Sequence, residues 1–124
     1  MNPRQIAITT LAAGGLFFFL NACNTPTSSV TACPGVIQTQ DKTDTLPYAY
    51  VPPNCTIKLG GTPKTVTIKA VQFVHQFSTV STNWPGGPVA KSDTDYTVTF
   101  TAPGTYTYIC YQHAEMTGTI TVEN

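Results

Sequence analysis

The residues best equipped for chemistry lie on one short stretch near the C-terminus, Cys110-Tyr111-Gln112-His113-Ala114-Glu115-Met116. A thiolate, an imidazole and a thioether follow one another there, with two residues between each. Such a set makes up most of a copper site, which takes Cys, His and a weak axial Met. The stretch lacks a second imidazole, and the rest of the chain offers one, His75. Met1 aside, His75, His113 and Met116 are all the His and Met that the chain contains. Taken singly, a lone His or Met reads more simply as a surface or core residue. Their coincidence reads as a metal set of His75, Cys110, His113 and Met116. Thiolate and thioether favour copper over magnesium or calcium, and neutral imidazoles suit copper or zinc. Structural zinc sites draw on more Cys or His and on close CxxC pairs, which are absent here.

These donors need a rigid frame, and the composition points to β-structure. Charged residues make up only 10% of the 124, while Thr, Val, Tyr and Phe are plentiful,. Ten Pro and nine Gly punctuate short runs with strand-like alternation,. Strands are expected over 35–40, 48–51, 55–59, 65–71, 96–100, 104–109 and 118–122, with the extended run after Val71 continuing to Phe77. That continuation puts Val71, Phe73, His75 and Phe77 on one side. Residues 78–92, including Trp84-Pro85-Gly86-Gly87-Pro88, stay unassigned. Short strands separated by turns predict an all-β sandwich.

Residues 1–22 read as a signal peptide: Arg4 precedes an apolar stretch from Ile6 to Leu20, too short and wrongly flanked for a transmembrane helix,. The stretch ends in Leu20-Asn21-Ala22-Cys23, which resembles a bacterial lipoprotein box with Cys23 as the lipidated residue. Ordinary cleavage near Ala22, leaving Cys23 a free thiol, is the alternative. Residues 23–34 then form the lipidated Cys and a polar, flexible tether, of which Asn24–Ala32 spans roughly 15–18 Å on average as a random coil. The domain itself is 35–124. The protein is expected to be exported and held by lipid on the periplasmic, extracytoplasmic or lumenal side of a membrane. Without Arg4 the chain has five Lys against six Asp and Glu, a net charge of −1. No basic run suggests nucleic acid, and so weak a field steers partners little.

With Cys23 assigned to lipid and Cys110 to the ligand loop, Cys33 and Cys55 remain. An oxidising compartment would pair them, and closing that loop would contribute roughly 3 kcal/mol.

The run from Gly104 through Cys110, then His113, Met116 and Gly118-Thr119-Ile120-Thr121-Val122, resembles the blue copper proteins (cupredoxins) of the plastocyanin and amicyanin group. Tyr48-Ala49-Tyr50-Val51-Pro52 and Phe73-Val74-His75-Gln76-Phe77 are similar to the plastocyanin pattern. The resemblance covers about residues 36–124. It implies a Greek-key sandwich with one copper ion at one end, cycling between Cu(I) and Cu(II) on His75, Cys110, His113 and Met116. The short gap between His113 and Met116 looks like amicyanin. Gln76 stands where the family usually has an Asn that ties the two ligand loops together. No Pro separates Cys110 from His113. Ile109 replaces the Tyr of the plastocyanin acidic docking patch, so that patch does not carry over. Glu115 places a carboxylate within the ligand loop, favouring Cu(II) modestly.

The resemblance implies a one-electron carrier that shuttles between redox protein partners, with His113 as the exit and Tyr48, Ala114 and the Trp84–Pro88 loop around it. Such a shuttle has no need to oligomerise and is expected to be a monomer. A periplasmic copper carrier or storage protein is the alternative, though the chain lacks the Met- or His-rich tracts that pass copper on. An enzyme is not expected, because a second copper centre would need His residues already in use.

Overall fold

The computed structural model describes residues 29–124. The expected signal peptide, Cys23 and the first part of the tether lie outside the described residues. Eight strands follow in order: β1 (Val36–Gln40), β2 (Ala49–Val51), β3 (Asn54–Lys58), β4 (Lys64–Ile68), β5 (Phe77–Thr79), β6 (Tyr96–Phe100), β7 (Gly104–Cys110) and β8 (Thr117–Glu123). They form two four-stranded sheets, ordered β2-β1-β4-β6 and β3-β8-β7-β5. Two pairs, β1 with β4 and β3 with β8, are parallel, and the remaining pairs are antiparallel. The architecture is the all-β sandwich expected.

The alternation that suggested strands also builds the core. In β7 the side chains of Tyr106, Tyr108 and Cys110 are buried, and in β8 Gly118, Ile120 and Val122 are. Val66 and Ile68 of β4 and Val98 and Phe100 of β6 face them from the other sheet. Successive residues of a strand point to opposite faces, so each apolar set lands on one side. On the outer face of the first sheet, Thr65 and Thr67 hydrogen-bond across to Thr99 and Thr97.

The extended run expected from Thr65 to Phe77 is corrected by the structure. It ends at Ile68, turns sharply between Val71 and His75, and restarts as β5 in the opposite sheet. Within that turn the Val74 and His75 N–H groups both donate to the Val71 carbonyl, at 2.8 Å each. Val71 and Phe73 are therefore exposed, while His75 and Phe77 are buried. Strict alternation could not foresee this, because Phe73 adopts a φ of 64°, which reverses the chain,.

The unassigned loop also acquires a role. Trp84 is buried among Phe77, Tyr96, Phe100, Tyr106 and Tyr108, and its indole N–H donates to the Thr107 carbonyl at 3.2 Å. Of the Trp84–Pro88 loop expected around His113, Trp84 instead turns its ring into the core. An indole buries a large apolar area and still finds a partner for its single donor.

At the other edge, Cys33 and Cys55 form the expected disulfide, with Cα atoms 4.8 Å apart. Thr56 donates its N–H to the Thr31 carbonyl at 2.8 Å, and Cys33 donates to the Thr56 carbonyl at 2.9 Å. The last residues of the expected tether therefore pair with β3. A bare strand edge presents free N–H and C=O groups, and here the chain's own approach covers them.

Candidate metal centre

The register of β5 against β7 sets Phe77 opposite Cys110. One step further along, the Tyr111 N–H donates to the Gln76 carbonyl at 2.7 Å. His75 thereby arrives beside the loop that carries His113. That loop is closed by backbone hydrogen bonds: the Cys110 N–H donates to the Met116 carbonyl, and the Met116 N–H to the His113 carbonyl, both at 2.9 Å. The two-residue spacings seen in the sequence are the spacings of this tight loop between β7 and β8.

One donor atom each from His75, Cys110 and His113 lies within 4.8 Å of the others. The Cys110 Sγ is 3.6 Å from His113 Nδ1, and the two imidazole centroids are 5.3 Å apart. His75 and Cys110 are each only 1% exposed and Met116 is fully buried, whereas His113 is half-buried. Tyr48 stacks on His113 at 3.7 Å between centroids and meets His75 edge-on. Ala114 is exposed beside it. Sequence reasoning had gathered all these residues, and the fold brings them to one end of the sandwich.

Asp41 was missed. Its carboxylate lies 2.7 Å from His75 Nε2, and it comes from the turn after β1. Nothing in Asp41-Lys42-Thr43-Asp44 marks it as more than a polar turn. The only available signal was general: a metal-bound His normally engages its second nitrogen with a carboxylate or carbonyl. With Nε2 so engaged, His75 Nδ1 is left buried and without a hydrogen-bond partner. A buried nitrogen lone pair with no donor is costly unless something coordinates it. Set beside a buried thiol and a second imidazole, that nitrogen suits a soft or borderline cation such as copper.

Gln76 resolves the question raised by the missing Asn. Its side chain, 1% exposed, turns away and donates through Nε2 to Asp93 in the long β5–β6 loop. The link between the two ligand loops passes through its carbonyl instead. Behind the site, Tyr50 and Tyr108 are fully buried and pack edge to face at 4.7 Å. Burial pushes both phenols well above their ordinary range, and the nearby Cys110 adds to the effect at Tyr50.

Two packed Greek-key sheets with a Cys-His-His cluster at one end define a cupredoxin-like protein. Residues 36–123 match the family described as copper binding proteins, plastocyanin/azurin family, and the chain belongs to that family. Its cofactor is copper. A 37-residue segment is 51% identical to amicyanin-alpha of Methylorubrum extorquens, spanning 30% of this chain and 31% of that protein. In fold, the chain is similar to a pseudoazurin from Sinorhizobium meliloti, with a TM-score of 0.54 and 24% identity over 72% of each chain. It is also similar to part of a copper-containing nitrite reductase from Thermus scotoductus, with a TM-score of 0.50 and 23% identity. That likeness covers 81% of this chain and 24% of the reductase.

Proposed function

We propose that the chain is a one-electron carrier whose copper is held by His75 through Nδ1, by Cys110, by His113 and by Met116. The observation that carries this reading is the buried, unpartnered Nδ1 of His75 facing a buried Cys and a second His. Copper bound there supplies a one-electron couple, and the residues around it govern how readily that couple works. Cys110 and Met116 end and precede paired strands, so their backbones are fixed before any ion arrives. Asp41 holds the ring of His75. Burial of His75, Cys110 and Met116 excludes water, and donors that do not move keep the reorganisation accompanying electron transfer small.

His113 is the half-buried member and the electron's exit to a partner. Tyr48 covers one face of its imidazole, leaving the edge beside Ala114 for contact. The donor and acceptor are redox proteins met through this end. The likeness to nitrite reductase is confined to a quarter of that enzyme. The sequence Leu20-Asn21-Ala22-Cys23 supports export and lipid attachment at Cys23, on the extracytoplasmic or lumenal side of a membrane.

The test is a visible spectrum of residues 24–124 loaded with Cu(II). An intense thiolate-to-copper band is expected, bleached by ascorbate, restored by ferricyanide, and lost in Cys110→Ser and His75→Ala. A colourless protein that binds copper and yields it quickly to chelators would instead be a copper carrier.

A further inference from the structure

The chain enters the sandwich from the end that carries the copper ligands. Thr31, Ala32 and Cys33 run parallel to β3, with Ala32 beside Thr56, and β3 runs parallel to β8 with Thr56 beside Thr121. Followed backwards, the incoming segment reaches Ser29 level with the start of β8. There Thr117 pairs with Ile109, the neighbour of Cys110, and Met116 comes just before. The turns at Gly60–Gly61 and Thr101–Pro103 lie at the opposite pole, where Leu59 bonds to Glu123 and Gly104 pairs with Val122.

Resting on the reading that Cys23 is lipidated, we infer that the copper-bearing end is held towards the membrane and serves a membrane-embedded redox protein. Five residues lie between Cys23 and Ser29, and the six chain steps reach about 20 Å when fully extended. The seven residues of β8 alone span roughly 23 Å,. A tether leaving the copper end is therefore too short to let the far pole sit on the lipid. It also leaves the site open, because the incoming segment is three strand positions from β7, about 15 Å to the side,. The disulfide to Cys55 prevents the segment from peeling away and lengthening the tether.

The face presented fits such a partner. Phe73 is 73% exposed, and Val71 and Val74 flank it in the turn leading to His75. Tyr111 is exposed beside Cys110. With a mature net charge of −1, apolar contact rather than charge has to select the partner. Its electron-exchanging group must lie near the lipid headgroups, within reach of a carrier confined there.

The experiment uses the processed full chain, copper-loaded and reduced, on nanodiscs that contain a gadolinium-chelate headgroup lipid. The mass of the N-terminal peptide and co-purification with the discs come first; a chain without lipid that stays in solution overturns the anchor reading, and this inference with it. On bound chain, amide signals of Phe73, Val74 and Tyr111 to Glu115 are expected to broaden more than those of Gly60, Gly61, Thr101 and Ala102. Equal broadening, or the reverse, overturns the orientation while leaving the anchor intact. A second variant inserts about twenty Gly and Ser residues between Ser28 and Ser29. Oxidation of the Cu(I) protein by a ferrocenium-headgroup lipid, one electron passing to each ferrocenium, should then slow roughly tenfold as effective concentration falls. Faster oxidation with the long tether would mean that the short one holds the copper end away.

Discussion

Asp41 does more to define the site than its place in a surface turn suggests. By engaging His75 Nε2 it selects the nitrogen left for metal, and its negative charge sits one ring away from the copper position. Asp41→Ala is expected to lower copper affinity about 10- to 100-fold, the usual effect of losing such a partner. The reduction potential should rise as well, since a charge that favours Cu(II) is removed. Asp41→Asn, which keeps an acceptor but no charge, should raise the potential while retaining most of the affinity. Chelator competition and voltammetry separate the two effects, and unchanged values in both variants would remove Asp41 from the site. The proposed donors stand out in the sequence because their types are scarce and their spacing regular, and the fold brings His75, Cys110 and His113 together. Asp41 does not, because the contact spans 34 positions and depends on where the turn after β1 falls. Gln76 was legible as a departure, but its rerouting to Asp93 depends on the course of the β5–β6 loop.

The β7–β8 hairpin is the element on which the site rests, and its weak point is Gly118. A Cβ there would collide with the ring of Tyr108, the cross-strand partner, which is fully buried. Gly118→Ala should destabilise the domain by about 2–3 kcal/mol through overpacking. Pairing it with Tyr108→Leu should recover part of the loss, the non-additivity expected of residues in contact. Urea unfolding of the single and double variants measures both. Strand existence was readable from alternation in 96–100, 104–109 and 118–122 because each has one buried and one outer face. The run into Phe77 was misread for a physical reason. A bulky residue at positive φ is rare, so nothing in Val71-Gln72-Phe73-Val74 announces the reversal,. Trp84 likewise sits in a loop rich in Pro and Gly, and only the tertiary gap it fills reveals it as core.

For the whole molecule, the buried phenols set an alkaline limit. Two of the six Tyr, Tyr50 and Tyr108, have hydroxyls that are buried without partners. Their folded pKa values lie above the unfolded value of about 10,. Below that pH neither state ionises and stability keeps its full value; above it the unfolded chain sheds protons that the folded chain retains, so stability falls as pH rises. Absorbance near 295 nm should show these two phenols ionising only together with loss of the β-sheet circular dichroism. All six titrating while the fold stays intact would contradict the burial. Fold class was legible at this scale because composition and turn punctuation both favour short strands over helix. The pairing of Thr31 and Cys33 with β3 was not, since a polar segment without alternation carries no strand signal.

That pairing also has a mechanical side. A pull on the N-terminal segment acts along the strand axis, so the hydrogen bonds at Thr56 are loaded together in shear rather than opened one after another. Beyond Cys33 the load passes through the S–S bond into Cys55, and from β3 it spreads into β8 across a five-residue ladder. Drag on the domain thus enters the sheet β3-β8-β7-β5 directly through the disulfide, rather than by way of Pro34 and Gly35 into β1. A reductant that cuts the disulfide would leave the two hydrogen bonds at Thr56 and, once they open, the peptide chain into β1 to carry the load.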